Sequence, residues 1–241
     1  MRYELLTMLG GLFSGGKNSG ELHKRAVAVQ SENFDYQVYV PQAAQTESLP
    51  VFVFLHGIRE RGAGGFLPSE GAGALVLRQY LAQVPAIILL PQCSSGTYWT
   101  DPVMDAMVMK SLAETIEEFG ADSNRVCLIG VSMGGYGVWH FAAEHPNQFA
   151  ALVSICGGSP ILTGDRFAPV AGKVGATPAW IFHGDADPIV PVSESREMVK
   201  ALKAVGSNVK YSEFAGVGHN VWMNALAEKQ LLPWLLSNRL K

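Results

Sequence analysis

A serine flanked by glycines follows an apolar run in the middle of the chain. Residues 126–131 read VCLIGV, and Ser132 comes next, with Gly130 and Gly134 two positions away on either side. Between a strand and a helix, G-x-S-x-G is typical of a nucleophile elbow, a sharp turn that lifts the serine hydroxyl above a sheet. Only glycine fits at the crowded flanks of such a turn. The spacing therefore predicts Ser132 as a nucleophile for acyl transfer.

A serine hydroxyl needs a base to accept its proton, and the base is ordinarily a histidine that a carboxylate orients. After an elbow the three residues follow in the order serine, acid, histidine. His219 fits as the base, because it lies in the glycine-rich stretch GVGHNVW ahead of the last predicted helix. The loop HGDADPIVP supplies the carboxylate. We favour Asp187, which lies further out on the loop and precedes Pro188, while Asp185 remains the competing acid.

The other histidines after Ser132 fit the role of base less well. His140 lies inside the helix that follows the elbow and His145 at its end, so both precede any suitable acid in the chain. His183 ends an apolar run, and we expect it to be a structural residue at the end of a strand. His219 therefore remains the predicted base.

Acyl transfer also needs hydrogen-bond donors for the oxyanion that develops on the substrate. The backbone N–H of Met133, directly after the nucleophile, is one predicted donor. The second should come from the loop after the third strand, LHGIRERGAGG, where Ile58 is the predicted donor. We expect His56 to hold this loop in shape, and Glu60 and Arg61 to form a local ion pair within it.

Two tryptophans near these motifs are candidates for a substrate pocket, whereas the cysteines fit a structural role. Trp99 and Trp222 each lie beside a loop of the presumed active-site face, and both are candidates for lining a substrate pocket. No Cys/His pair has the spacing of a zinc site, and no dinucleotide fingerprint is present, so neither a metal nor a cofactor is predicted. The scattered cysteines are expected to be buried without forming a disulfide framework: Cys93, Cys127 and Cys156.

The strands that must position these residues follow from the pattern of apolar runs. Continuously apolar runs are expected of strands that are covered on both faces of a parallel sheet. The runs of this kind are VFVFLHG, AIILLPQ, RVCLIGVS, ALVSICGG and AWIFHGD. Nearer the N-terminus, AVAVQ and FDYQVYV alternate with period two, which predicts antiparallel edge strands.

Helical patterns separate these runs. The clearest helix has Asp101 as its N-cap and Pro102 in its first turn, and Gly120 ends it. Strands that alternate with helices predict one α/β domain, with a mostly parallel, doubly wound sheet and helices on both faces. No long amphipathic helix stands between residues 157 and 178, so no cap domain is expected. The other helices are predicted over residues 72–83, 134–144, 193–204 and 221–236.

The composition limits the class of protein. Of the 241 residues, 48% are hydrophobic, which suits a single domain, predicted over residues 25–241 behind an N-terminal extension over residues 1–24. A net charge of −3 offers no basic excess for a nucleic-acid partner. The apolar runs are too short to span a bilayer, and no signal-peptide cleavage site is evident, so we expect a soluble protein. The sequence assigns neither a compartment nor an oligomeric state.

Several motifs together carry a family resemblance. The stretches LHGIRERG, PQCSSGTYW, IGVSMGGYG, HGDADPIVPV and GVGHNVW occur in the order and approximate spacing of the α/β-hydrolase superfamily. The chain resembles the branch of small serine carboxylesterases and predicted peptidases that includes feruloyl and acetyl esterases. It is similar, more distantly, to phospholipase/carboxylesterases and dienelactone hydrolases. Dienelactone hydrolases carry cysteine at the nucleophile position, so Ser132 argues against that activity.

The resemblance implies the same roles as the residues themselves: Ser132 as nucleophile, Asp187 as acid, His219 as base, and Ile58 and Met133 as oxyanion donors. The function expected is hydrolysis of carboxylic esters of small soluble substrates with a short acyl or aryl group. One alternative is a peptidase or thioesterase that uses the same residues. Another is a non-catalytic binding module with the hydrolase fold, but such a module should have lost a triad residue, and none is missing.

Overall fold

A single sheet runs through the part of the chain that the computed structural model describes, residues 20–62 and 84–240. Its eight strands have the order β1-β2-β4-β3-β5-β6-β7-β8. β2 pairs antiparallel with both β1 and β4, and the neighbours from β4 to β8 are parallel. The strands are β1 Gly20–Val29, β2 Glu32–Pro41, β3 Val51–Leu55, β4 Ile87–Pro91, β5 Val126–Val131, β6 Ala151–Ile155, β7 Ala179–Gly184 and β8 Val209–Phe214.

The strands from β3 to β7 are buried along their whole length, which explains their continuously apolar sequence. Successive side chains of a strand pack on opposite faces of the sheet. In β3, Val53 and Leu55 belong to the cluster on one face of the sheet, whereas Phe52 and Phe54 belong to the cluster on the other. β1 alternates instead, because it is the sheet edge. β2 is antiparallel as predicted, but its placement at an edge is wrong, because it lies between β1 and β4 and is buried over most of its length. The predicted fold class is confirmed.

Helices lie between the parallel strands. The longest, α1, begins and ends as predicted, between Asp101 and Gly120. The carboxylate of Asp101 accepts the backbone N–H of Tyr98 at 2.9 Å rather than an amide of the helix itself. Short 3₁₀ turns cover Gln42–Gln45 and Ile58–Glu60. The α-helices are α1 Pro102–Phe119, α2 Met133–Glu144, α3 Ala168–Val174, α4 Ser193–Ala204, α5 Trp222–Leu226 and α6 Leu231–Ser237.

The single helix predicted over residues 221–236 is wrong, because the chain forms α5 and α6 with a break between them. The reason is Pro233. In one continuous helix, its ring would clash with the carbonyl of Lys229 and leave that carbonyl without a donor. A new helix that begins at Leu231 places Pro233 in the first turn, where no backbone N–H is needed.

Other predictions from the sequence concern the helix over residues 72–83, the start of the domain and the absence of a cap. The predicted helix over residues 72–83 lies outside the described residues. β1 pairs with β2 from Gly20 onward, so the sheet begins ahead of the predicted boundary at residue 25. Between β6 and β7 the chain forms only α3, a helix of 7 residues, and no cap. Within the described ranges, every helix is too short or too polar to cross a membrane.

A carboxylate shared by two histidines ties α1 to α2. Asp105 of α1 accepts from Nε2 of His140 at 3.0 Å and from Nε2 of His145 at 2.9 Å. Burial by itself raises the pKa of Asp105, but these two hydrogen bonds bring that pKa below its ordinary value. The carboxylate therefore stabilises the packing of α2, the helix that directly follows Ser132.

We expect Asp105→Asn to lower the free energy of unfolding by about 1–2 kcal/mol at pH 7, because an amide oxygen replaces only part of the two bonds. The folded-state pKa of Asp105 is depressed, so the stabilisation is present above its unfolded pKa and lost as the pH falls through the folded value. The difference between variant and wild type in urea denaturation should therefore shrink below about pH 4.

Asp165→Asn is the matched control. Its carboxylate accepts the backbone N–H groups of Phe167 and Ala168 at the start of α3, and asparagine caps a helix equally well. This control should change the free energy of unfolding by less than about 0.5 kcal/mol. Equal losses in the two variants would contradict the role given to Asp105.

Candidate active site

Ser132 lies in a strained turn between β5 and α2. Its φ of 55° and ψ of −115° are rare for a residue with a side chain. The turn is held on both sides, because the Ser132 N–H donates to the carbonyl of Ile155 at 2.8 Å and the Gly135 N–H donates to the carbonyl of Ser132 at 2.8 Å. Strain of this kind amounts to about 1–3 kcal/mol and persists where the surroundings enforce it.

The two flanking glycines are required by close backbone contacts. A Cβ atom on Gly130 would lie 2.1 Å from the carbonyl oxygen of Gly134. A Cβ atom on Gly134 would lie 1.9 Å from the carbonyl oxygen of Leu55, at the end of β3. No side chain fits at these distances, so the G-x-S-x-G pattern follows from the packing of the elbow against itself and against β3.

His219 links Ser132 to Asp187 through hydrogen bonds. Its Nε2 lies 2.9 Å from Oγ of Ser132, and its Nδ1 lies 2.7 Å from Oδ2 of Asp187. A carboxylate only accepts, so Nδ1 carries the proton and Nε2 faces the hydroxyl with its lone pair. The residues follow β5, β7 and β8, whose parallel directions bring these loops to one edge of the sheet.

Asp187 keeps its charge although its side chain is buried. Its Oδ1 accepts the backbone N–H groups of Ile189 at 2.8 Å and Val190 at 3.0 Å, while Oδ2 accepts from His219. Burial by itself raises the pKa of Asp187, but these hydrogen bonds bring that pKa below its ordinary value. A carboxylate that remains ionised can hold a histidine in one tautomer and stabilise its protonated form.

Asp185, the competing acid, points elsewhere. Its Oδ1 accepts the backbone N–H of Gly216 at 2.6 Å and so ties the loop after β7 to the loop after β8. The structure therefore brings Asp187, rather than Asp185, to His219. The partner amide of Asp185 lies 31 residues further along the chain.

His183 is buried behind Asp187 and supports the acid loop. Its Nε2 donates to the carbonyl of Val190 at 3.0 Å, so its Nδ1 accepts from the hydroxyl of Ser195 at 2.6 Å. Burial lowers the pKa of His183 and keeps the ring neutral. The structural role expected for this histidine agrees with these contacts, whereas nothing in the sequence pointed to Ser195 as its partner.

The two predicted oxyanion donors each stand at the start of a helical turn. Met133 is the first residue of α2, and Ile58 is the first residue of the 3₁₀ turn after β3. The N–H group of a first helical residue has no acceptor within its own helix. A Cβ atom placed on Gly57 would lie 3.8 Å from Cβ of Ser132, so the loop that carries Ile58 approaches the elbow closely.

The loop after β3 contains separate contacts rather than the predicted ion pair between Glu60 and Arg61. Glu60 accepts the backbone N–H of Gly57 with Oε2 at 2.8 Å. Arg61 donates from Nη1 to the carbonyl of Thr97 at 2.8 Å, and its guanidinium lies 5.1 Å from the ring centre of Tyr98. Glu60 thus closes the turn after β3, whereas Arg61 connects this loop to the segment after β4.

The two tryptophans proposed for the pocket differ in position. Trp99 is fully buried, donates from Nε1 to the carbonyl of His56 at 2.9 Å, and packs against Gly137. It anchors the end of β3, and its placement in a substrate pocket is therefore wrong. Trp222 is half-buried, and its ring stands edge-on to that of His219 with centres 6.0 Å apart. Trp222 is thus the tryptophan beside the candidate base.

Cys156 is a neighbour of the site that sequence reasoning missed. Its Sγ lies 3.6 Å from the carbonyl oxygen of His219, and burial raises the pKa of its thiol, which stays protonated. Among the described residues, Cys156, Asp187 and His219 are the group whose possible metal-ligand atoms lie within 4.8 Å of one another. The position of Cys156 directly after a parallel strand was the signal that could have found it.

A mostly parallel sheet with an elbow serine after β5 and a Ser–His–Asp chain at its carboxyl edge defines an α/β-hydrolase. The model of the phospholipase/carboxylesterase family matches residues 94–230, which is more than half of the chain. The chain therefore belongs to the phospholipase/carboxylesterase family.

Known proteins agree with this assignment. Acyl-protein thioesterase 1 of Neurospora crassa is 28% identical over 110 residues, which are 44% of this chain and 44% of the relative. A thermostable esterase of known structure is 30% identical with a TM-score of 0.80, covering 91% of this chain and 63% of its own. A ferulic acid esterase shares the fold at 17% identity, with a TM-score of 0.69 over 90% of this chain and 97% of its own. The chain spans about half the length, or less, of the curated relatives it matches.

Proposed function

We propose that the protein hydrolyses carboxylic esters through an acyl-enzyme on Ser132. The observation that carries this proposal is the unbroken hydrogen-bond chain from Ser132 Oγ through His219 to the buried carboxylate of Asp187. Its distances of 2.9 and 2.7 Å allow proton transfer without rearrangement. The family and the esterase among the structural neighbours support the same chemistry.

Each residue then has a defined role. Ser132 Oγ attacks the ester carbonyl while Nε2 of His219 accepts its proton, and Asp187 stabilises the imidazolium that forms. The N–H groups of Ile58 and Met133 hold the oxyanion of the tetrahedral intermediate. His219 next protonates the leaving alcohol. A water then attacks the acyl group by the same route, with the proton passing through His219, and frees Ser132.

The substrate in this proposal is a small ester with a short acyl or compact aryl group, of the acetyl or feruloyl type. The segment between β6 and β7, where a cap would be inserted, contains only the 7 residues of α3 as a helix. Apolar side chains at the carboxyl edge of the sheet, such as Ile189 and Met223, are 67% and 55% exposed. A long acyl chain on so open a surface would stay largely in water and gain little from its extra methylenes.

A thioesterase or a peptidase would use the same residues, because all three reactions pass through an acyl-enzyme. The likeness to a protein named as a thioesterase favours the first of these as the second candidate. Kinetics on the oxygen ester, thioester and amide of one acyl group separate the candidates. A non-catalytic binding module would cleave none of the three.

We expect Ser132→Ala to lower kcat by several orders of magnitude, because it removes the nucleophile while oxyanion donors and binding remain. A fluorophosphonate probe should label the wild type at Ser132 and leave the variant unlabelled. The wild type should keep its activity in EDTA, since no step uses a metal. A variant with a tenth of the wild-type rate would contradict the proposed function.

The acid is tested by a matched pair of variants. We expect Asp187→Asn to lower kcat by roughly 10³–10⁴-fold, because an amide no longer selects the reactive tautomer of His219. Asp185→Asn should keep most of the activity, since its side-chain oxygen can still accept the Gly216 amide. If the Asp185 variant is the crippled one, the assignment of the acid is reversed.

Acyl length is the test of the open site. We expect kcat/KM for p-nitrophenyl esters to be highest for acetate and butyrate and to fall for long chains, because added methylenes remain in water. No jump in rate should occur once the substrate exceeds its solubility. A higher kcat/KM for laurate than for butyrate, or a sharp rise at the solubility limit, would show that an apolar channel exists.

A further inference from the structure

His56 is buried at the end of β3, and both of its ring nitrogens have partners. Nε2 lies 3.1 Å from the backbone nitrogen of Cys93, and Nδ1 lies 2.8 Å from the carbonyl oxygen of Gly57. The side-chain nitrogen of Gln92 also approaches Nε2 at 3.3 Å. A histidine with this many contacts and no exposure to solvent has a fixed ring orientation.

The partners determine which tautomer is present. The Cys93 backbone N–H can only donate, so Nε2 of His56 must carry a lone pair. The proton is therefore on Nδ1, which donates it to the Gly57 carbonyl. Burial lowers the pKa of His56 to about 4, so the ring stays neutral and keeps this tautomer at neutral pH.

The Gly57 carbonyl belongs to the same peptide unit as the Ile58 N–H. This unit is planar and trans, so its N–H points away from its carbonyl. His56 Nδ1 and the backbone N–H of Glu60, at 3.2 Å, both donate to that carbonyl oxygen. The preceding N–H of Gly57 is held by the Glu60 carboxylate. With the carbonyl side of the unit held, the direction of the Ile58 N–H is set.

We infer that His56 is a positioning residue of the oxyanion hole, which orients the Ile58 N–H by holding the Gly57 carbonyl. The inference rests on the proposed function, because it assigns His56 to the oxyanion hole of that same site. His56 does not touch the substrate in this account. It acts only through the peptide unit between Gly57 and Ile58, and its effect belongs to the transition state, where the oxyanion forms.

The same contacts connect the loop after β4 to the oxyanion hole. The Cys93 amide selects the tautomer of His56, and the Gln92 side chain donates to the carbonyl of Glu60 at 2.6 Å. Trp99 holds the carbonyl of His56 itself. The loop after β4 is therefore part of the support for a donor that is carried by the loop after β3.

Two conservative variants separate the two bonds of His56. In His56→Asn the side-chain nitrogen lies near the position of Nδ1 and can still donate to Gly57. In His56→Gln the amide reaches the position of Nε2 and can accept from Cys93, but the donor to Gly57 is lost. We expect the Asn variant to keep kcat within about fivefold of wild type and the Gln variant to lose roughly 10–100-fold, with KM nearly unchanged in both.

A second measurement identifies the oxyanion hole as the cause. A thionoester places sulfur, a weak hydrogen-bond acceptor, where the ester places oxygen, so it profits little from the donors. We expect the ratio of kcat/KM for an ester over its thionoester to fall about tenfold in His56→Gln and to stay close to wild type in His56→Asn. This ratio does not depend on how much enzyme is folded, so a destabilised variant still gives an answer.

His183 provides the matched control, since it too is a buried histidine that precedes a glycine at the end of a strand. It supports the acid loop, so His183→Gln should slow ester and thionoester equally and leave their ratio unchanged. If His56→Gln does not fold, Gln92→Leu is the alternative, because it removes the side chain that contacts His56 and the carbonyl of Glu60. We expect it also to lower the ratio of kcat/KM for the ester over the thionoester.

The outcomes are distinguishable from a failure of the proposed function. An active Ser132→Ala variant would overturn the proposed function itself. An inactive Ser132→Ala variant, together with Asn and Gln variants of His56 that share one rate and one ratio, would overturn only the positioning role. A fall of the ratio in His183→Gln as large as that in His56→Gln would also overturn it.

Discussion

The close approach of α2 to the end of β3 determines where the reactive groups lie. The backbone of Gly134 sits so near the carbonyl of Leu55 that a Cβ atom would be 1.9 Å from its oxygen. This contact presses the elbow against the neighbouring strand and brings the loop at Gly57 beside Ser132. The nucleophile and a proposed oxyanion donor are thus adjacent because two backbones touch, and the strain at Ser132 is maintained by the same packing.

Buried neutral histidines support both sides of the site. His56 holds the loop after β3, and His183 holds the loop after β7 through the carbonyl of Val190. Burial lowers the pKa of both rings, so each keeps one tautomer and one set of hydrogen bonds. The charge of Asp187 lies between the loop amides and His219, and the hydrogen bonds from these groups to the carboxylate stabilise that charge. The loops that carry the chemistry are therefore connected to the strands beneath them.

Local patterns were sufficient for most of the fold. The continuously apolar runs predicted the parallel strands, and the residues around Asp101 and Gly120 predicted both ends of α1, because such signals depend on neighbours in the chain. The last helix was mistaken because its apolar pattern continues past Pro233, and helical periodicity does not register a missing N–H. The elbow could be predicted from the sequence, because its glycines are required within a few residues of the serine they flank.

The sequence by itself determined the residue types available for acyl transfer, their order along the chain and the class of fold that orders them. The tertiary structure decided which of these groups meet. It turned Asp187 to His219 and Asp185 to the amide of Gly216, although the two acids differ by only two positions. It also buried Trp99 beneath the site and placed Cys156 beside His219. These outcomes depend on distances between loops far apart in the chain, which only the packing of the sheet and helices sets.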